Sequence, residues 1–125
     1  MYAVVIGNKE WKNLIINCLE DIGFAVTYID TEENMEINEA QLNKSGIGRA
    51  DIFLNLTKSD EFNLYFCKKA KNDYNVPITL ALANYVENSE VMKLQGIDFV
   101  VCTSLFLINF LKNTLYKKIS SLHDE

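Results

Sequence analysis

The sequence predicts an α/β domain built on a parallel sheet, and three features of the chain favour this fold class. Short apolar segments rich in β-branched residues alternate with longer segments of helical periodicity. The first segment, residues 2–7, is almost continuously apolar, which is typical of a strand covered on both faces. Glycines stand where two predicted helices end, at Gly23 and Gly96. Because crossovers between parallel strands are right-handed, helices are expected on both faces of the sheet.

The first half of the chain supplies two strands and the helix that joins them. Residues 2–7 form the first strand, residues 9–22 the helix and residues 24–30 the second strand. The helix has one broad apolar face, which comprises Trp11, Leu14, Ile15, Cys18, Leu19 and Ile22. The polar segment that follows the second strand predicts a loop and one short helix at about residues 36–45.

The second half continues the alternation and ends on a helix. The predicted strands lie at 51–57, 76–83 and 97–103, and the predicted helices lie at 60–74, 86–95 and 104–120. Pro77 is tolerated in its strand because it stands near the start. No repeat, low-complexity tract or linker interrupts the chain, so residues 1–125 are expected to form a single domain.

Composition and charge exclude several classes of function. A net charge of −5 argues against nucleic acid and against acidic lipid surfaces, because both attract basic proteins. No apolar run reaches the roughly 18–20 residues that span a bilayer. The N-terminus also lacks a charged and then apolar signal segment. We therefore expect a cytoplasmic protein with no direct membrane insertion.

Cysteine and histidine usage argues against a metal site. Cys18, Cys67 and Cys102 lie far apart without a CxxC pair, and His123 is the only histidine. A structural zinc site needs several such ligands at short spacing, so no metal is predicted. All three cysteines fall in apolar stretches, which predicts buried free thiols.

The turn after the first strand is the first candidate binding site. In VVIGNKEWKNL, residues 4–14, a strand runs through Gly7 into a helix, as a dinucleotide-binding βαβ unit begins. Lys9 and Lys12 replace the second and third glycines of that fingerprint. A side chain at the second position adds bulk where a pyrophosphate would lie, but its charge would attract a smaller phosphorylated ligand. We therefore predict weak or absent NAD binding, with Gly7, Asn8 and Lys9 as candidate contacts and Lys12 as a solvated helix residue.

Two further positions are candidates for the same site. Asp30 ends the second strand at about the expected ~20 residues from the glycine turn, where a carboxylate can accept both hydroxyls of an adenosine ribose. The alternative is an aspartate that only caps a turn. Thr57 precedes a strand-to-helix turn at the carboxyl edge of the sheet, where ligands bind in open α/β sheets. In the same turn, Ser59 is predicted to be the N-cap of the next helix.

The sequence supplies no catalytic group. No histidine, cysteine pair or Gly-x-Ser-x-Gly elbow is placed to act as a nucleophile or a general base. The chain is therefore predicted not to be an enzyme. An NAD-dependent oxidoreductase-like fragment remains an alternative, although it would need a second domain to hold a substrate.

The last predicted helix is apolar on more than one stripe. Its apolar residues are Leu105, Phe106, Leu107, Ile108, Phe110, Leu111 and Leu115. A monomer's surface helix shows one apolar stripe and a polar back, so the extra apolar surface predicts a partner. We expect a homodimer whose contacts include this helix, with Leu107 and Phe110 on the outward side.

Several segments together resemble a known family. GFAVTYID (23–30), KSGIGRADIFLNLTKSDEFNLYFCKKAK (44–71) and NVPITLALANYVENSEVMKLQGIDFVVCTS (75–104) are similar to the TrkA-N domains, also called KTN or RCK N-terminal domains. The likeness is most specific over residues 50–104. Three departures stand out: the glycine motif keeps only Gly7, the segment after Asp30 is shorter, and Leu82 replaces an arginine.

The resemblance implies a Rossmann-like three-layer fold with about five parallel strands, in the order 2-1-4-5-6, the parent's third edge strand being missing. It also implies a cytoplasmic regulatory or ligand-sensing subunit that acts with a membrane potassium transporter or channel. The identity of any cofactor stays open between NAD and an adenine nucleotide. A purely structural dimeric interaction module is the other alternative.

Overall fold

The computed structural model describes residues 1–31 and 37–123. The strands are β1 (Tyr2–Gly7), β2 (Ala25–Asp30), β3 (Ile52–Leu56), β4 (Ile78–Ala83) and β5 (Phe99–Cys102). The α-helices are α1 (Lys12–Ile22), α2 (Glu39–Lys44), α3 (Asp60–Tyr74), α4 (Val86–Leu94) and α5 (Thr103–His123), and a short 3₁₀ turn covers Ile47–Arg49. Every predicted element is present, although α1 begins three residues later than expected. The predicted start of the short helix, residue 36, lies outside the described residues.

The five strands form one parallel sheet in the order β2-β1-β3-β4-β5. This order confirms the predicted α/β fold class, and among the described residues no strand pairs with the outer edge of β2. Connections that lead from β1 to β2 and from β3 towards β5 run in opposite directions across the sheet. The carboxyl ends of β1 and β3 therefore lie beside each other at the point where the strand order reverses, which is where such folds bind ligands.

Local sequence signals explain where the helices begin and end. Gly23 ends α1 with φ of 115°, a left-handed conformation that other residues rarely adopt. Asn38 and Gln41 form a reciprocal capping box at the start of α2. Ser59 Oγ accepts the backbone N–H of Phe62 at 3.1 Å, which confirms Ser59 as the N-cap of α3.

The two faces of the sheet are covered unequally. One face is buried under α2, α3 and α4, and its strands contribute Val4, Ile6, Phe53, Ala81, Ala83 and Cys102 to the core. On the other face α1 is the one helix among the described residues that packs, and its cluster includes side chains of β1, β2, β3 and β4. Exposure on this second face rises across the sheet, from 0% at Val5 through 8% at Leu54 to 57% at Phe99. The side chains of β5 on this face are therefore open to solvent.

The broad apolar face predicted for α1 is only partly buried. Trp11, Ile15 and Leu19 pack on the sheet, whereas Leu14 and Ile22 are 71% and 61% exposed. Cys18 is also exposed, so the prediction of three buried thiols was wrong for this one, while Cys67 and Cys102 are buried. The reason is geometric, because a single helix on a sheet buries one narrow stripe and leaves its flanks uncovered.

Helix α5 follows β5 without an intervening loop. None of its described residues is buried, and Leu105 alone among its large apolar residues packs partly against the core. A helix that covered the sheet with one face would have buried that face, so α5 does not cover its own sheet. No helix among the described residues is both long and apolar enough to cross a membrane.

Candidate nucleotide site

Gly7 and Asp30 lie side by side in the pairing of β1 with β2, at the carboxyl edge of the sheet. Beneath this pair, Tyr28 extends its phenol towards the turn, and Tyr28 Oη donates a hydrogen bond of 2.6 Å to the carbonyl oxygen of Asn8. A Cβ atom added at Gly7 would collide with this hydroxyl. The glycine is therefore required by the tyrosine of the same chain, whatever ligand the turn holds.

The start of α1 is capped from within the turn. Asn8 Oδ1 accepts the backbone N–H of Trp11 at 2.8 Å. That N–H is one of the unpaired donors that the N-terminus of a helix offers to an anion. Lys9 is exposed, and its side chain makes no hydrogen bond or ion pair to any described residue. One donor that could face a phosphate is thus already used, and the side chain of Lys9 extends into solvent.

Lys12 departs from the prediction of a solvated residue. Its ammonium forms an ion pair with Asp30 Oδ2 at 3.4 Å, and both side chains are part-exposed, at 41% and 34%. The third position of the glycine fingerprint is thereby linked to the predicted ribose-binding acid. No local signal in the sequence marks this contact, because the two residues are 18 positions apart and meet only through the pairing of β1 with β2.

A backbone hydrogen bond and the protonation of Tyr28 also fix the shape of this turn. Thr31 donates its backbone N–H to the carbonyl oxygen of Gly7 at 2.9 Å. Burial and, to a smaller extent, the negative charge of Asp30 together raise the pKa of Tyr28 to about 12. Tyr28 therefore stays protonated at any physiological pH and remains a hydrogen-bond donor to Asn8.

Thr57 lies at the same edge of the sheet, after β3, but its hydroxyl is buried and engaged. Thr57 Oγ1 contacts Asn63 Oδ1 at 2.6 Å, and the backbone N–H of Thr57 donates to the same oxygen at 3.0 Å. Asn63 is fully buried, and its amide nitrogen donates to the carbonyl oxygens of Thr57 and Leu82, each at 2.9 Å. Asn63 thus joins the ends of β3 and β4 through all its polar atoms.

Asp60 forms a second internal connection that the sequence analysis missed. Its carboxylate accepts hydrogen bonds from the backbone and side chain of Asn84 at 2.6 and 2.8 Å, from Tyr85 N at 3.1 Å and from Asn88 Nδ2 at 2.9 Å. Burial alone would raise the pKa of Asp60, but these hydrogen bonds from Asn84, Asn88 and Tyr85 outweigh it and lower the pKa. Asp60 therefore ties the first turn of α3 to the start of α4.

The structure therefore brings Gly7, Asn8, Lys9 and Asp30 together at the ends of β1 and β2, with Thr57 after the adjacent strand β3. Lys9 is the only one of these whose side chain points to solvent without a contact among the described residues. No group of three metal-ligating side chains occurs within the described part of the chain. The arrangement places at the sheet's switch point a set of polar groups that bond mainly to one another.

Comparison with known proteins identifies the family. The sequence model of the TrkA-N domain matches residues 15–103. The chain belongs to the TrkA-N domain family. The matched range begins inside α1, so it covers β2 to β5 and leaves out the turn of Gly7 to Lys12. The match includes residues 50–103, where the sequence predicted the most specific likeness.

A curated relative is the Trk system potassium uptake protein TrkA homolog of Methanothermobacter thermautotrophicus. It is 27% identical over 139 residues, which cover 98% of this chain and 64% of the relative. The chain therefore spans somewhat less than two thirds of that relative.

Solved structures show the same fold. The RCK domain of GsuK superimposes with a TM-score of 0.78 at 24% identity, covering 99% of this chain and 30% of that one. The GsuK channel bound to NAD gives a TM-score of 0.79 at 24% identity, covering 95% of this chain and 24% of that one. GsuK bound to ADP gives 0.77 at 23% identity, with 94% and 34% covered. The Rossmann-like RCK architecture predicted from the sequence is confirmed.

Proposed function

We propose that residues 1–125 act as a single cytoplasmic domain that regulates a potassium transporter or channel and catalyses no reaction. The observation that carries this proposal is the TrkA-N match across β2 to β5, together with a relative named for potassium uptake. The described residues offer no nucleophile with a positioned base, which supports a regulatory rather than an enzymatic role.

A test of this function measures potassium transport in cells. Removing the chain from its host should change rubidium uptake, and returning the native chain should restore it. A host that takes up rubidium normally without the chain would contradict the proposal. In that case the alternative of a structural dimeric module, which the engaged polar groups of the cleft favour, becomes the better one.

We infer weakened or lost NAD binding as a second part of the function. Support comes from the contacts at the cleft, where Asn8 occupies the N–H of Trp11 and Lys12 pairs with Asp30. The dinucleotide would have to displace these contacts before it could form its own. Isothermal titration with NAD tests this part, and a dissociation constant in the low micromolar range or tighter would contradict it.

The third part is a homodimer through α5. An apolar stripe runs along this helix at intervals of three and four residues and comprises Ile108, Leu111, Leu115, Ile119 and Leu122, all of them exposed. Phe106, Leu107 and Phe110 extend the apolar surface to a second side. Burying a single Leu or Phe is worth about 1.5–3 kcal/mol, so a helix of this composition gains strongly from a partner.

The open half of the sheet is the matching surface. Ile78 and Phe99 are 39% and 57% exposed on the face beside α1, and Leu14 and Ile22 of that helix are exposed as well. Helix α5 carries three lysines and no acidic residue over Thr103–His123, whereas the whole chain has a net charge of −5. A basic apolar helix and an acidic body with an apolar face favour a second copy of the chain as the partner.

Light scattering tests the homodimer. The native protein should have twice the chain mass of 14.3 kDa at micromolar concentration. The Leu111→Glu, Leu115→Glu change should give a monomer, and Leu107→Glu, Phe110→Glu should weaken the dimer if both sides of the helix are used. Asn113→Glu, at an exposed polar position of the same helix, is the matched control. A soluble native monomer would contradict the proposal, and a dimer that survives both double changes would place the interface elsewhere.

A further inference from the structure

The cleft of this domain is occupied by its own side chains. In a dinucleotide-binding βαβ unit, the acid at the end of the second strand accepts the ribose hydroxyls. Here Asp30 Oδ2 accepts the ammonium of Lys12 at 3.4 Å instead. Asp30 Oδ1 is buried and receives no hydrogen bond from residues 1–31 or 37–123. The acid is thus in place, but a positive charge of the same chain lies against it.

The glycine turn is filled in the same way. The fingerprint uses glycine to bring the backbone close to a phosphate. At Gly7 the free space is taken by the phenol of Tyr28, whose hydroxyl is held on Asn8 O at 2.6 Å. Tyr28 and Asp30 stand two residues apart on β2, so their side chains extend from the same face of the sheet. Tyr28, which fills the turn, therefore lies beside Asp30, which Lys12 contacts.

We propose that Lys12 and Tyr28 close the nucleotide cleft from within and so determine that the native chain does not take up adenine nucleotides. This proposal rests on the weakened NAD binding of the proposed function and names the residues responsible. Lys9, whose bulk the sequence analysis held responsible, is exposed and is assigned no part in the closure. The backbone of a nucleotide-binding turn and its acid are retained, so the closure is reversible by substitution.

The experiment removes each occupant and measures nucleotide binding. Lys12→Ala deletes the ammonium at a part-exposed helix position, and Tyr28→Phe deletes the hydroxyl over Gly7 while keeping the ring in the core. Lys9→Ala is the matched control, because it removes a lysine from the same turn without breaking a contact to the described residues. NAD and AMP are titrated into each protein by calorimetry, and saturation-transfer NMR at millimolar nucleotide detects weak binding.

We expect Lys12→Ala to gain severalfold in affinity for AMP, because the part-exposed ion pair with Asp30 no longer has to be broken. The Lys12→Ala, Tyr28→Phe double variant should gain at least tenfold over the native chain, and Lys9→Ala should match the native chain. Adding Asp30→Ala to the double variant should abolish the gain, which separates ribose binding in the cleft from binding elsewhere.

The possible results distinguish the closure by Lys12 and Tyr28 from the weakened NAD binding. A native chain that binds NAD in the low micromolar range overturns both the closure and the weakened binding. Folded variants that bind no better than the native chain overturn the closure alone, and so does a gain that appears in Lys9→Ala. If the double variant fails to fold, Lys12→Ala decides the matter by itself, since it removes only an exposed ion pair.

Discussion

Two groups of polar side chains lie at the carboxyl edge of the same sheet and are held very differently. Asp60 and Asn63 lie in α3, after β3. Both are buried, and the side chain of each is hydrogen-bonded to several partners. After β1 and β2, Lys12 and Asp30 are part-exposed and joined by a single ion pair. The first group is therefore part of the framework, whereas the second can exchange its contacts. Substitutions at the two groups should differ accordingly in their effect on stability.

The largest effect is expected at Asn63. Asn63→Ala leaves buried backbone groups of Thr57 and Leu82 without their partner. We expect a loss of about 3–5 kcal/mol in the free energy of unfolding, because several buried polar groups lose their bonds together. Urea denaturation measures it, with Asn72→Ala on the exposed side of α3 as the control. A loss no greater than that of Asn72→Ala would place Asn63 outside the framework.

Asp60 should follow closely. Asp60→Ala is expected to cost about 2–4 kcal/mol at neutral pH, because hydrogen bonds to a charged group are strong and their donors become unpaired. The folded pKa of Asp60 is lowered, so its contribution is complete above the unfolded carboxyl pKa of about 4 and is lost as the pH falls through the lower folded value.

The measurement compares denaturation of the native chain and Asp60→Ala at neutral pH and in acid. The difference between them should shrink below about pH 4, near the ordinary carboxyl pKa. Glu61→Ala, the exposed neighbour in the same turn, is the control. A difference that is the same at both pH values would show that the carboxylate charge contributes nothing.

Gly7 gives a smaller effect with a specific rescue. Gly7→Ala should destabilise the fold by about 1–3 kcal/mol, because the new methyl group meets the Tyr28 hydroxyl. Adding Tyr28→Phe should recover part of the loss, which a double-mutant cycle detects as coupling between the two sites. Gly48→Ala has open space around the new methyl group and serves as the control. If the losses in the free energy of unfolding of the two single variants simply add in the double variant, Gly7 and Tyr28 are not coupled.

The smallest effect on stability is expected at Lys12. Lys12→Ala should change the free energy of unfolding by less than about 1 kcal/mol, since the pair with Asp30 is part-exposed. The change should shrink further in high salt, where exposed charges are screened. Thermal denaturation at low and high salt measures it against Lys9→Ala. A large loss would move Lys12 into the framework group and remove the contrast between the two regions.

The sequence predicted the fold well because the signals that specify it are local. The apolar segment 2–7, Gly23 after α1 and Ser59 before α3 each encode a strand or a helix boundary within a few residues. The order of the strands came from the resemblance, and the sheet of the structure confirms it.

The contacts of the site were not predictable in the same way. The pairs Lys12–Asp30 and Asp60–Asn84 join residues 18 and 24 positions apart, and only the register of the parallel strands brings them together. Likewise, the exposure of Leu14 and Ile22 depends on how many helices share a face of the sheet. A periodic pattern reports which side chains are apolar, but not which neighbour covers them.

Because β5 continues directly into α5, a small rotation of the strand moves the far end of the helix by a larger distance. Since 21 residues of α-helix rise about 31 Å, a rotation of roughly 5° at the sheet edge displaces the far end by about 3 Å. A loop between strand and helix would absorb such a rotation, but Cys102 and Thr103 are adjacent in the chain. A partner bound at the C-terminal end of α5 is therefore coupled to β5, the outermost strand. A small rotation of that strand would move the bound partner by a larger distance.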